Sequence, residues 1–338
     1  MKKSKNIALI TAVFLIVSGL VISFIAYWRA GFDFSKLSTP VYENTYTVDE
    51  EFSSIRVKEL DSNIRFMPLE IDAEDDVYDV DETCMIVCNE EKNVTHKVDV
   101  VNGTLVIEEV DNREWYEHIG FFTEDADMVI YLTESSYEKL EISASSGDVV
   151  LGEEFGYDDI DITLSSGSVD INSVSIIESL TVETSSGNIN VKDTLPEDIY
   201  IKTSSGSITV ENVSVTTADI ITQSGDISIK SSAAEEVRME TSSGEIMADQ
   251  LLVLGMLKVF SHSGDIDLID SDAESMYIRT TSGDVTGSIF SDKIFVCETE
   301  SGDINVPASA DGGKCEVKTS SGDIEFDVTY ETWHDWHD

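Results

Sequence analysis

Leu180-Thr181-Val182-Glu183-Thr184-Ser185-Ser186-Gly187-Asn188-Ile189-Asn190-Val191 is one copy of a unit whose Ser-Gly dipeptide occurs ten times from Glu141 onward. The glycines are Gly147, Gly167, Gly187, Gly206, Gly225, Gly244, Gly264, Gly283, Gly302 and Gly322, and successive ones lie 19 or 20 residues apart. A period that drifts by no more than one residue is the mark of a stacked structure in which each copy forms one coil. Aligned on the glycine, three positions are apolar in every copy. Seven residues before it the series runs from Leu140 and Ile160 to Phe295 and Cys315. Five before it runs from Ile142 and Ile162 to Cys297 and Val317, and two after it from Val149 and Val169 to Ile304 and Ile324. Spacings of two on either side of a turn describe strand, corner and strand facing one interior, and no helical period competes.

The pattern predicts an all-β protein: a parallel β-solenoid (β-helix) of about ten 19–20-residue coils, stacked coil upon coil about 4.8 Å apart into a rod of about 45–50 Å. Right-handed coiling is expected, as for parallel crossovers in general. The glycines are structural turn residues, expected to take φ > 0 at a sharp corner. The serine before each glycine is expected to bond its hydroxyl to the turn or to the next coil. Thr184, Thr203, Thr222, Thr241, Thr280, Thr299 and Thr319, three residues before their glycines, form a β-branched hydroxyl ladder.

Working outward, residues 139–328 make the repeat body and 51–138 a strand-rich cap with the first coils. Within that cap Asn102-Gly103 marks a hairpin between Val98 and Glu109. The acidic, aromatic stretch Val110 to Asp127 reads as a loop over the end of the rod, and 329–338 is a tail whose Trp333 and Trp336 could pack on the last coil. Residues 29–50 form a linker, and 1–28 a cytoplasmic stub and anchor. Ile7 to Tyr27 is an uncharged run of 21 residues, long enough as a helix to span a bilayer. Lys2, Lys3 and Lys5 precede it, which places the amino terminus in the cytoplasm and the solenoid outside a cell membrane crossed once. A cleaved signal peptide, the competing reading, would carry a shorter apolar core and a small-x-small site.

The 67 acidic and 21 basic side chains leave a net charge of −46, which opposes nucleic acid and anionic lipid as partners and favours cations or basic surfaces. Four cysteines, Cys84, Cys88, Cys297 and Cys315, fit neither a disulfide framework nor a zinc spacing and read as buried thiols. The position after the glycine is aspartate in six coils, including Asp265, Asp284, Asp303 and Asp323. Such stacked carboxylates must point into solvent, cap turn N–H groups, or share cations such as Ca²⁺, which makes these four the candidate metal ligands. His334 and His337 with Asp335 and Asp338 could bind a transition metal weakly, whereas His96, His118 and His262 stand isolated. No nucleophile motif is present, and pairs such as Asp265 and Asp267 do not stand out in so acidic a chain.

The anchor, the segment Asn102-Gly103-Thr104-Leu105-Val106-Ile107 and units such as Thr184-Ser185-Ser186-Gly187, Thr241-Ser242-Ser243-Gly244 and Thr319-Ser320-Ser321-Gly322-Asp323-Ile324 carry a resemblance. Over residues 50 to 328 the chain resembles the adhesin-type family known as domain of unknown function 4097, which includes LiaG-like envelope proteins. The resemblance implies a β-strand repeat body in the cell envelope, a role in adhesion or envelope stress, no catalytic residues and no cofactor. The resulting expectation is a non-enzymatic, membrane-anchored extracellular solenoid with an unidentified protein or envelope partner. The alternatives are a Ca²⁺-binding structural module and a carbohydrate-active β-helix enzyme.

Overall fold

The structure, a computed structural model, describes residues 17–19, 21–25, 28–29, 41–69, 84–113 and 127–329. Two ladders of strands, joined where Ile227–Glu240 and Ile246–Phe260 run through both, enclose one continuous apolar core. Neighbour to neighbour, the first ladder reads Val94–Val101, Thr104–Asp111, Ser54–Glu59, Ser136–Ala144, Gly156–Ser166, Ser175–Ser186, Asp198–Thr203 and Ser214–Ile221. It continues through the second halves of the two long strands to Asp272–Arg279, Gly313–Lys318 and Lys293–Glu298. The second reads Val41–Val48, Cys84–Glu91, Asp127–Leu132, Asn63–Pro68, Val149–Leu151, Val169–Asn172, Ile189–Lys192 and Ile208–Glu211. After the first halves of the long strands come Ile266–Ile269, Val285–Ile289, Ile324–Val328 and Ile304–Asn305. Pairing is parallel throughout the repeat, and the register joins like to like: Ile162 lies on Val182, Val182 on Ile201, and Ile189 on Ile208. The alternating apolar positions therefore form the columns of the core.

The coils do not simply follow one another. Gly313–Lys318 lies between Asp272–Arg279 and Lys293–Glu298, and Ile324–Val328 between Val285–Ile289 and Ile304–Asn305. The last repeat in the chain is thus inserted beneath the one before it, and among the described residues the Gly302 coil ends the rod. Its three inward positions show the consequence. Phe295 and Cys297 are half-buried and Ile304 is 46 % exposed, although their equivalents in the other coils are buried. A buried ion pair joins across the insertion: Lys293 Nζ reaches Asp272 Oδ1 at 2.7 Å. Gly313 makes room on the intervening coil, because a Cβ there would meet the Glu274 carbonyl oxygen at 1.7 Å.

The repeat glycine serves a different need from the one expected. Gly147 and Gly167 take φ of 104° and 112°, but the glycines from Gly187 to Gly302 are not in the left-handed region. What they share is close stacking: a Cβ on Gly187 or Gly206 would lie 1.8 Å from the carbonyl oxygen of the glycine one coil below. That approach leaves no space for a side chain. The threonine ladder caps the same carbonyls. Thr222, Thr241 and Thr280 donate their hydroxyls to Gly206, Gly225 and Gly264 at 3.0, 3.0 and 3.2 Å. Left-handed backbone occurs six residues after the glycine instead, at Ser173, Asp193, Asn212, Ser231, Gln250 and Asp270. The serine hydroxyl bonds backbone as expected at Ser166, which donates to Ser145 O.

Asn102 and Gly103, with φ of 53° and 76°, turn the expected hairpin between Val94–Val101 and Thr104–Asp111. All four cysteines are free thiols, three of them buried and Cys297 half-buried. Most of Ile7–Tyr27 lies outside the described residues, as do His118, most of the Val110–Asp127 loop and the tail from Tyr330. Residues 17–19, 21–25 and 28–29 are helical, with Val17, Ile22 and Phe24 exposed. Among the described residues no helix is long and apolar enough to cross a membrane.

Candidate functional site

At the amino-terminal end four strands carry their inward-facing alternation one step past the apolar residues. Ile55 and Val57 lead to Glu59; Cys84, Ile86 and Cys88 lead to Glu90; Leu105 and Ile107 lead to Glu109; and Val94 leads to His96. The pleat places each polar residue on the face that its apolar predecessors bury. His96 pairs with Glu109 across the hairpin, and the Lys58–Glu108 pairing sets Glu59 beside Glu109. The result is a polar centre between the two ladders. Glu59, Glu90 and His96 are buried in it and Glu109 is half-buried.

His96 is held at both ring nitrogens. Nδ1 lies 2.6 Å from Glu90 Oε1, and Nε2 lies 2.6 Å from Glu59 Oε1. Glu90 is itself fully engaged. Its Oε1 accepts from the Tyr46 hydroxyl at 2.7 Å and the His96 backbone N–H at 3.0 Å, and its Oε2 accepts from the Asn44 amide. Glu59 Oε2 is different: it is buried and no donor reaches it. Glu109 accepts the Leu60 N–H at 2.9 Å on the far side of the same pair.

These contacts set the charges. Burial alone would lower the His96 imidazole, but Cys88 and Glu59 beside it outweigh that and push it up to about 11. Burial, with Glu59 alongside, pushes Glu109 up to about 7. Burial would raise Glu90 as well, yet the donors from Tyr46, His96 and Asn44 bring it below the usual carboxylate range. The Cys88 thiol is raised, chiefly by burial. Two sets of side chains could therefore hold a metal ion, Cys88 with Glu90 and His96, and Glu59 with His96 and Glu109, the ligand atoms of each set lying within 4.8 Å of one another.

In the sequence His96 stands isolated, because Glu59 is 37 residues away and only sheet pairing brings it close. The signal that could have found the centre is a carboxylate or imidazole continuing an apolar alternation in four strands. Asp265, Asp284, Asp303 and Asp323 stand elsewhere, along the exposed glycine corner. Asp265 Oδ1 accepts the Asp284 N–H at 2.9 Å, Asp284 Oδ1 the Asp323 N–H at 2.8 Å, and Asp323 Oδ1 the Asp303 N–H at 2.7 Å. Each carboxylate caps the turn of the coil stacked on it, and the inserted coil changes the ladder's order to 265, 284, 323, 303. His262 neighbours this corner, where its carbonyl oxygen accepts the Ser282 N–H at 3.1 Å. On another corner a groove of about 420 Å³ is lined by Pro196, Val215, Ala233 and the exposed Ile177, Leu195 and Leu254.

The profile of the Toastrack DUF4097 family matches residues 57–232, 173–253 and 222–334. No curated protein matches the chain. Among solved structures, a "putative lipid binding protein" from Parabacteroides distasonis is 14 % identical with a TM-score of 0.48, the match covering 85 % of this chain and 98 % of that one. A "putative adhesin" from Bacteroides fragilis is 15 % identical with a TM-score of 0.41, covering 86 % and 99 %. A "putative cell adhesion protein" from Clostridium sporogenes is 8 % identical with a TM-score of 0.23, covering 86 % and 100 %.

Proposed function

We propose that this chain, which belongs to the Toastrack DUF4097 family, is a non-enzymatic surface protein that displays a rigid acidic rod outside the cell for adhesion or contact with the cell envelope. The observation that carries this reading is the commitment of the coil interior. Within the Ser-Gly repeat the inward strand positions are filled by apolar columns, and the corner glycines and threonines are occupied by coil-to-coil stacking. A partner therefore meets the outward rows, which the repeat leaves free to vary. The net charge of −46 favours a basic or cation-bearing partner over nucleic acid. Anchoring by Ile7–Tyr27 is supported by the exposed apolar side chains of Val17, Ile22 and Phe24 on helical backbone and by the lysines before them.

Protease added to intact cells tests the orientation: the rod is expected to be cleaved or shed without lysis, and protection until the cells are opened would overturn it. Pull-down from envelope extracts with the full-length chain in detergent tests the role. An envelope component retained at low salt and released at high salt is expected. Release of reducing ends or unsaturated sugars from cell-wall polysaccharide would replace this reading with a carbohydrate-active enzyme.

A further inference from the structure

We propose that the amino-terminal end of the rod binds one divalent transition-metal ion between His96 Nε2 and the carboxylates of Glu59 and Glu109. The case begins with an unmet need. Glu59 is 4 % exposed; His96 holds its Oε1, but its Oε2 is buried without a donor, and a carboxylate oxygen left unpartnered in the interior is costly. Glu109 brings a second carboxylate to the same place. Two facing carboxylates require a proton or a cation between them.

The imidazole is arranged for the second option. Glu90 takes Nδ1 at 2.6 Å and is fixed in turn by Tyr46, Asn44 and the His96 backbone N–H, so Nε2 is aimed at Glu59. A carboxylate that orients a histidine through one nitrogen while the other binds metal is the usual support of such a ligand. Because its oxygens already accept four donors, Glu90 serves as that support and is not itself a ligand. One imidazole and two carboxylates suit Zn²⁺, Mn²⁺ or Fe²⁺, and a divalent ion offsets both carboxylate charges. Glu59 and His96 are buried while Glu109 is half-buried, so Glu109 forms the side from which an ion enters. On binding, the proton between Nε2 and Glu59 leaves to solvent. The site is separate from the aspartate corner, whose Oδ1 atoms already accept turn N–H groups.

The test uses the full-length chain in detergent, stripped with chelator and carrying His334→Ala and His337→Ala to remove the tail imidazoles. Calorimetric titration with ZnCl₂, and separately with MnCl₂, is expected to show one ion bound per chain. Adding Glu109→Gln, whose amide oxygen can still accept the Leu60 N–H, is expected to weaken binding about tenfold or more. Absence of any bound equivalent, or equal affinity with and without Glu109→Gln, overturns the proposal. Zinc-edge X-ray absorption of the parent protein decides the matter if the Gln variant does not fold. A shell of imidazole nitrogen and carboxylate oxygen supports the site, and a sulfur-containing or all-oxygen shell refutes it.

Discussion

At the amino-terminal end both ladders change from parallel to antiparallel pairing, through Val94–Val101 on Thr104–Asp111 and through Cys84–Glu91 between Val41–Val48 and Asp127–Leu132. Beneath them Ile55, Val57, Ile64, Leu105 and Ile107 are no more than 1 % exposed. At the other end, among the described residues, the Gly302 coil stacks on its neighbour through parallel strands alone, and Phe295, Cys297 and Ile304 remain partly open. The two ends carry similar apolar residues, so sequence hydrophobicity does not distinguish them. Hairpins that fold back over the core do. The polar centre at His96 belongs to the closed end, where the hairpin of Val94–Val101 and Thr104–Asp111 brings His96 and Glu109 beside Glu59 and Cys84–Glu91 brings Glu90.

This contrast can be broken by substitution. The largest effect is expected at Gly225→Ala, where the new Cβ falls 1.9 Å from Gly206 O in a coil held on both sides. A loss of about 4 kcal/mol or more in urea unfolding is expected there. Gly302→Ala meets Gly322 O at 2.1 Å, but in the terminal coil, which can shift, and about 1–2 kcal/mol is expected. Equal losses at the two sites would show that the open end is as rigid as the middle.

Next comes the pair that holds the inserted coil. Lys293→Ala leaves Asp272 buried and unpaired, and about 3–5 kcal/mol is expected to be lost, with faster hydrogen exchange in Gly313–Lys318. Lys293→Met with Asp272→Leu should recover most of it, because the cost lies in an uncompensated charge. In the core, Ile220→Ala is expected to cost about 2–5 kcal/mol. Ile304→Ala, at a position already 46 % exposed, should cost about 1 kcal/mol or less on the same unfolding assay. A comparably small effect belongs to the aspartate corner. Asp284→Ala removes the cap on the Asp323 N–H and should cost about 0.5–1.5 kcal/mol. Millimolar Ca²⁺ should leave the melting midpoint of the wild-type chain unchanged, and a clear rise would make that corner a cation ladder.

Much of this architecture was legible in the residue order. The columns five and seven residues before the glycine and two after it are the core, because period two in a strand allows only one face to be buried. The left-handed corner was not legible, since Ser173, Asp193, Asn212, Ser231, Gln250 and Asp270 share a conformation without sharing an identity. Nor was the reason for the glycine, which from Gly187 to Gly302 lies in the distance to another coil and not in its own turn. The polar centre is not legible in the residue order because Glu59, Glu90, Glu109 and His96 are ordinary residues until four strands are laid side by side.

By itself, the sequence determined the repeat, the faces that turn inward and the charge of the surface, since these follow from local alternation and composition. Tertiary structure alone decided the order of the last two coils, the closure of one end and the meeting of His96 with its carboxylates. Coils of one period and one register are nearly interchangeable as neighbours. What selects among them is contact between residues far apart in the chain, such as Lys293 reaching Asp272 past an intervening glycine.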